Sequence, residues 1–420
     1  LHSCQRQQKI RVIRVIRVPK KNPRHPRHPR SKKKIRVIRV IRVPKKIRVP
    51  KKIRVPMTSE FPPVSKAEWL NQIAKDLKGR SMEELLWTRP DGMVVTPFVH
   101  ADDFPEPPAA LAGNSNAWEI CEEIHVSDPV SANRQALDAL EGGAEGLCFV
   151  LDAPLETAGF TQLLEGIYLD YIGLHFAGKA VQTNPGIFLA QLESLAAQKG
   201  LATTALKGSL AYDPVPVSSV VDWRYLAELI EYARDKFPQF KLIQVASGAD
   251  TPLKDTLQHA NTYLSKLEEK GLSVAEIART MEFSISIGKS YFVEIARLRA
   301  LKLLWLNVLQ AWNAPLEFPA ITVQYQPETY TDELYTNMIR ATTMAMSAVQ
   351  GGATRLTVLP YDVNRESQAK YPATFSRRIA RNVQHLLKME SALDAVADPA
   401  AGSYYIETLT RQLSEEAWRG

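Results

Sequence analysis

The chain of 420 residues carries 53 Lys+Arg against 45 Asp+Glu, a formal net charge of +8, with 45% hydrophobic and 8% aromatic residues. Residues 1–56 hold 22 Lys/Arg and no acid, which leaves 31 basic against 45 acidic residues, a net of −14, over residues 57–420. That acidic body argues against a nucleic-acid-binding globular domain, and no apolar run approaches the ~18 residues of a membrane span.

In residues 1–56 the stretch IRVIRVIRVPKK runs from Ile10 to Lys21 and returns from Ile35 to Lys46. Its period of three suits neither a strand nor a helix. With a cation every two or three positions and interrupting prolines, the segment is predicted to be disordered. Met57 is the first methionine and opens MTSEFPPVSKAEW, so residues 1–56 read as a translated upstream repeat outside the mature protein. The other reading is a polybasic arm for nucleic acid or anionic lipid. Cys4, Cys121 and Cys148 give neither a disulfide framework nor metal-ligand spacing. No signal peptide is recognisable, and a cytoplasmic location is the expectation.

Residues 57–115 read as an N-terminal arm. Ser65 is the N-cap candidate for a helix carrying Trp69, Leu70, Ile73 and Leu77, and Gly79 ends it. Pro97, Pro105, Pro107 and Pro108 then predict an extended, surface-wrapping stretch.

From residue 116 to 420 short apolar runs alternate with helical periodicity. Strands are predicted at 118–126, 146–151, 171–177, 204–212, 241–247, 282–288, 320–326 and 355–361. Helices are predicted at 129–140, 185–198, 223–237, 252–270, 290–312, 332–349 and 375–388, several closed by glycine at 142–143, 200, 271 and 351–352. Eight such units imply an α/β fold, a (β/α)8 TIM-type barrel, ahead of an open doubly wound sheet. No Gly-x-Gly-x-x-Gly follows any strand, which weakens the open sheet.

In a barrel the chemistry belongs to the strand C-termini. The residues there include His125, Asp152, Ser209, Tyr212-Asp213, Ser247, Asp250, Gln324 and Asp362. Asp128 and Asp250 precede prolines and are expected to act as helix N-caps. His175 lies inside an apolar run and is expected in the interior. Ser284 and Ser286 alternate on one strand face, where small polar groups leave lumen space for a threaded ligand. The sequence contains no His-x-x-x-His, Cys-x-x-Cys or Walker loop to hold a catalytic metal or a nucleotide.

Four blocks in order resemble the methylmalonyl-CoA mutase family of adenosylcobalamin-dependent isomerases. They are FSISIGKSYFVEIARLRALKLLW at 283–305, NMIRATTMAMSAVQGG at 337–352, FSRRIARN at 375–382 and DPAAGSYYIE at 398–407. The resemblance implies a barrel threaded along its axis by an acyl-CoA, with cobalamin over the strand C-termini. The rearrangement it implies interconverts methylmalonyl-CoA and succinyl-CoA, with the hard chemistry supplied by the cofactor.

Departures from the family pattern select among its members. Catalytic chains end one strand Ser-Gly-Tyr-His, whereas here Ser247-Gly248 is followed by Ala249-Asp250. Where they carry Thr-Ile-Gln-Asn-Asp, this chain has Leu206-Lys207-Gly208-Ser209-Leu210. Gln324 stands in the place of a family glutamine, with different neighbours. The cobalt-ligating Asp-x-His-x-x-Gly of the cobalamin domain does not occur.

These departures lead to the expectation of a small, non-catalytic subunit, truncated before any cobalamin domain. Its partner would be a large catalytic chain; adenosylcobalamin and acyl-CoA would belong to the complex, with no metal ligated by this chain and no nucleic-acid or membrane partner. The alternative is an acyl-CoA mutase in its own right, with Asp250 and Gln324 as degenerate-site candidates and Ser209, Ser247, Ser284 and Ser286 as substrate contacts. A polybasic-armed binding protein is the third reading.

Overall fold

Trp118 to Arg419 wind strand after helix around a single parallel sheet. The computed structural model describes residues 63–89, 92–104, 106, 108, 110–111, 115–218, 220–365 and 370–419. The expectations for residues 1–56 lie outside these described residues. All the elements below belong to one unit spanning Val64–Gly420.

The arm begins with helix α1 (Lys66–Asp76), whose Ser65 hydroxyl accepts from Glu68 N while the Glu68 carboxylate accepts from Ser65 N at 2.9 Å. This reciprocal cap satisfies two backbone donors left over at the helix start. A two-stranded antiparallel hairpin follows, β1 (Trp87–Thr88) with β2 (Val94–Val95). Strands of two residues are too short to leave a periodic signal, and the sequence does not predict them.

The large sheet contains β3 (Glu119–His125), β4 (Gly146–Val150), β5 (Gly173–Ala177), β6 (Lys207–Leu210), β7 (Gln239–Lys241), β8 (Ile243–Ser247), β9 (Met281–Ile287), β10 (Ala320–Tyr325) and β11 (Arg355–Thr357). Its order is β7-β6-β5-β4-β3-β11-β10-β9-β8, and every pairing is parallel. The two strands at the ends of that order, β7 and β8, are separated in the chain by Leu242 alone. One run of chain thus pairs with β6 through its first half and with β9 through its second, closing the sheet into an eight-strand barrel. Leu242 N turns to the Thr280 carbonyl at 2.7 Å, which explains the break where one strand was expected.

The remaining helices are α2 (Pro129–Glu141), α3 (Thr157–Leu163), α4 (Lys179–Thr183), α5 (Gly186–Lys199), α6 (Trp223–Lys236), α7 (Leu253–Glu268), α8 (Val274–Thr280), α9 (Tyr291–Ala311), α10 (Leu334–Gly351), α11 (Ala373–His385) and α12 (Tyr404–Arg419). Asp128 caps α2 as expected, accepting from Ser131 N at 2.7 Å. Asp250 does not cap α7. That helix starts one residue later than its proline, and Pro252 occupies the N-cap position with no side-chain acceptor.

Parity along the strands sorts the core. Phe283, on the outer face of β9, meets Trp305 of α9 edge-on, and Phe149 and Phe176 stack beneath the helices over β4 and β5. Helix α9 is buried nearly all round, its charged Glu294, Arg297 and Arg299 included, because it lies wedged between α10 and α12 as well as against the barrel.

Candidate functional site

The alternate positions of the same strands face the lumen, and there the chain places charge. Glu119 Oε1 accepts from His175 Nε2 at 2.7 Å. Arg355 Nη1 reaches His175 Nδ1 at 2.6 Å, its Nη2 reaches Glu282 Oε1 at 2.8 Å, and its Nε donates to Thr322 Oγ1 at 3.1 Å. Gln244 Nε2 donates to the same Glu282 oxygen at 2.8 Å. Side chains from β3, β5, β8, β9, β10 and β11 thereby meet across the barrel interior, where branched apolar layers are the usual filling.

The room for Glu119 is made by two glycines. A Cβ on Gly146 would overlap Glu119 Oε1, and one on Gly173 would overlap Oε2. A larger residue at either position, on β4 beside Glu119 or on β5 one strand further, would collide with the carboxylate.

Protonation follows from the partners. A guanidinium only donates, so Nδ1 of His175 accepts from Arg355 and Nε2 carries the proton given to Glu119. Burial and the Arg355 charge hold the imidazole below its ordinary value, and it is neutral. Burial pushes Glu119 upward, but the His175 hydrogen bond and the neighbouring cations outweigh it and leave the carboxyl low. Glu282 follows the same pattern, with burial opposed chiefly by Arg355. Cys121 and Cys148 are pushed up by burial, Cys148 to about 12, so both are thiols.

Ser209 completes what resembles a relay, with its Oγ 2.9 Å from His175 Nδ1. The arrangement cannot activate that hydroxyl, because the lone pair that would take its proton already faces Arg355. Ser209 and His175 are also both buried. Glu119, Cys121 and His175 offer one O, S and N atom within 4.8 Å of one another, but each is already engaged or protonated in this network.

The sequence candidates separate into two groups. Ser209, Ser284, Ser286 and Gln324 take lumen-facing positions. Ser284 Oγ is buried without a hydrogen-bond partner, and Gln324 is exposed beside Ser286 near the C-terminal mouth. Ser247 faces the opposite way, buried between helices, where its Oγ accepts from Thr256 Oγ1 at 2.8 Å and Arg297 Nη2 at 3.1 Å. Asp250 is exposed on a cavity of about 520 Å3 bounded by Lys254, Glu294, Arg297 and Leu413, and Gln324 does not line it.

Glu119, Glu282 and Arg355 are not among the residues that the sequence singles out. Their one signal is a charge at or next to the start of a strand, which is indistinguishable in sequence from a solvated strand end.

Between β3, β11 and α11, near the strand C-termini, lies a second cavity of about 260 Å3 lined by His125, Gln135, Asp362 and Arg377. Glu122 and Arg381 also line it, and there, outside the barrel, Arg381 clamps Glu122. The FSRRIARN block therefore anchors α11 to β3.

The fold and its interior define an α/β barrel of the (β/α)8 type whose axis is occupied by side chains. The chain belongs to the methylmalonyl-CoA mutase family, whose sequence profile matches residues 156–420. It is 32% identical over 395 residues to the methylmalonyl-CoA mutase small subunit of Porphyromonas gingivalis, covering 86% of this chain and 63% of that protein. It is 29% identical over 402 residues to the small subunit of Streptomyces virginiae, again covering 86% of this chain and 63% of the relative. Against the large subunit of Streptomyces virginiae the identity is 26% over 419 residues, covering 85% and 56%. The chain thus spans a little under two thirds of the length of the small subunits it matches.

Proposed function

We propose that this chain is the small, non-catalytic subunit of a methylmalonyl-CoA mutase. In this reading it supports a large subunit that carries out the adenosylcobalamin-dependent isomerisation of methylmalonyl-CoA and succinyl-CoA. The observation that carries the reading is the Glu119–His175–Arg355–Glu282 network, which fills the axis along which an acyl-CoA would thread. The higher identity to small subunits than to a large one supports it.

The described residues do not form a cobalt site. His100 caps a turn, His175 is sealed in the lumen, His259 lies against Asp213, and His385 packs on Gly142 and Gly143. His125, at the β3 rim, bonds to Glu123 at 3.2 Å. In this reading adenosylcobalamin belongs to the complex and is held by the large subunit. The reading places the complex in the cytoplasm; among the described residues no helix is long and apolar enough to cross a membrane.

The second reading, a mutase acting alone, draws on Gln324, which is exposed near the C-terminal mouth. One experiment separates the two. The chain is mixed with the large mutase subunit of the same genome, and solution mass and turnover are measured for each alone and together. A one-to-one complex, with turnover only when the large subunit is present, is the expected result. Turnover by this chain alone, or no association, would overturn the reading.

A further inference from the structure

Lys302 stands on α9 at the base of the barrel, the end opposite the strand C-termini. Its side chain lines a cavity of about 270 Å3 with Asn116, Lys241, Phe318, Thr354 and Asp398. Among the described residues its ammonium has no hydrogen bond and no ion pair within 4 Å. The nearby carboxylate is already taken, since Asp398 accepts from Arg299 Nε and Nη2 and from Leu111 N. Lys241, the other amine on the cavity, is committed to the Arg279 carbonyl.

The space for this amine is built into the backbone. Gly352 closes α10 with φ +86°, and a Cβ there would overlap Lys302 Nζ. Thus the paired glycine of the NMIRATTMAMSAVQGG block ends a helix and clears a path for the lysine tip.

We propose that Lys302 is a covalent modification site, an amine that accepts small acyl groups from thioesters. The donor class rests on the acyl-CoA setting proposed above, but the reactivity of the amine does not. In the reaction the neutral Nζ lone pair attacks the thioester carbonyl, a C–N bond forms and the C–S bond breaks. The leaving thiolate takes up the proton lost from nitrogen, so the products are an amide and a free thiol. No further reactant is needed.

The surroundings favour the neutral nucleophile. Burial lowers Lys302 to about 8, with Asp398 opposing the shift and Arg299 adding to it. At pH 7.5 about a quarter of such an amine is neutral, against roughly one part in a thousand at the ordinary lysine value. A neutral amine attacks and an ammonium does not. Acylation would also remove a cation beside Arg299, Asp398 and Glu407.

The test treats the 420-residue chain, without any partner, with the acetyl thioester of N-acetylcysteamine and maps acetylation by peptide mass spectrometry from about pH 6.5 to 10. Lys302 is expected to react at least about tenfold faster at pH 7.5 than the exposed Lys78 and Lys270, levelling off above about pH 8.5. Lys302→Arg, which keeps the charge, should remove only that site. Acetylation of Lys302 no faster than at the exposed lysines, or a rate still climbing beyond pH 9.5, would overturn the proposal. That failure would leave the subunit reading intact, because the latter stands or falls on association with the large chain.

Discussion

Arg299 and Asp398 form a two-pronged ion pair in the interior, with Nε and Nη2 donating to the two carboxylate oxygens at 2.9 and 3.0 Å. The same guanidinium reaches Glu407 at 2.8 Å, so the FSISIG…LRALKLLW block of α9 and the DPAAGSYYIE block before and within α12 are clamped at one point. Two blocks that carry the family resemblance are therefore stapled to each other through these three side chains. Asp398→Asn should leave a buried guanidinium short of charge and cost about 3–5 kcal/mol. Urea unfolding of the variant would measure this, and a change below about 1 kcal/mol would show that the clamp is dispensable.

Gly173→Ala tests whether the lumen is packed around Glu119. The added methyl group would overlap that carboxylate, and a destabilisation of about 1–3 kcal/mol is expected. Combining it with Glu119→Ala should recover part of the loss, because the clash partner is gone. A double-mutant cycle with no coupling would mean the lumen relaxes freely.

Strand placement was legible in the sequence because parallel strands buried on both sides read as short apolar runs. GLCFV at 146–150 and the closing run at 241–247 are examples, although nothing local announces the break at Leu242 or the earlier start at Gln239. The lumen was harder to read. Glu119, His175, Glu282 and Arg355 are separated by 56, 107 and 73 positions and meet only because the barrel closes. Asp250 was expected to cap α7 from its nearness to a proline. That motif fails where the proline itself fills the cap position. Ser247 looked like a ligand contact by position, but strand parity turns it towards Arg297.

Stability should fall in two stages as pH drops. His175 is neutral in the fold and held below its ordinary value of 6.5, so the unfolded chain binds the extra proton first. Its contribution is present above about pH 6.5 and is lost as pH falls towards the folded value. Glu119 and Glu282 are held below 4.5; their contribution is present above about pH 4.5 and lost as pH falls through their folded values. His175→Gln keeps a donor for Glu119 and does not titrate. Urea midpoints between pH 7.5 and 5 should therefore slope less in the variant than in the native chain, and equal slopes would refute the assignment.

Ser284 distinguishes a supporting barrel from a catalytic one. Its hydroxyl is buried and unpaired, so Ser284→Ala removes a group that costs desolvation without a hydrogen bond in return. The change should leave stability unaltered or raise it by up to about 1 kcal/mol. In the supporting role, turnover of the reconstituted complex is expected to stay within about twofold of native, and the same holds for Asp250→Ala. A substrate contact at either position predicts otherwise, since losing one charge-assisted hydrogen bond of about 1.5–3 kcal/mol would cut kcat/KM by at least about tenfold. Assaying both variants in complex with the large subunit, beside a melting curve for each, separates a lost contact from a lost fold. A large drop in turnover with an unchanged melting temperature would return this barrel to the catalytic class.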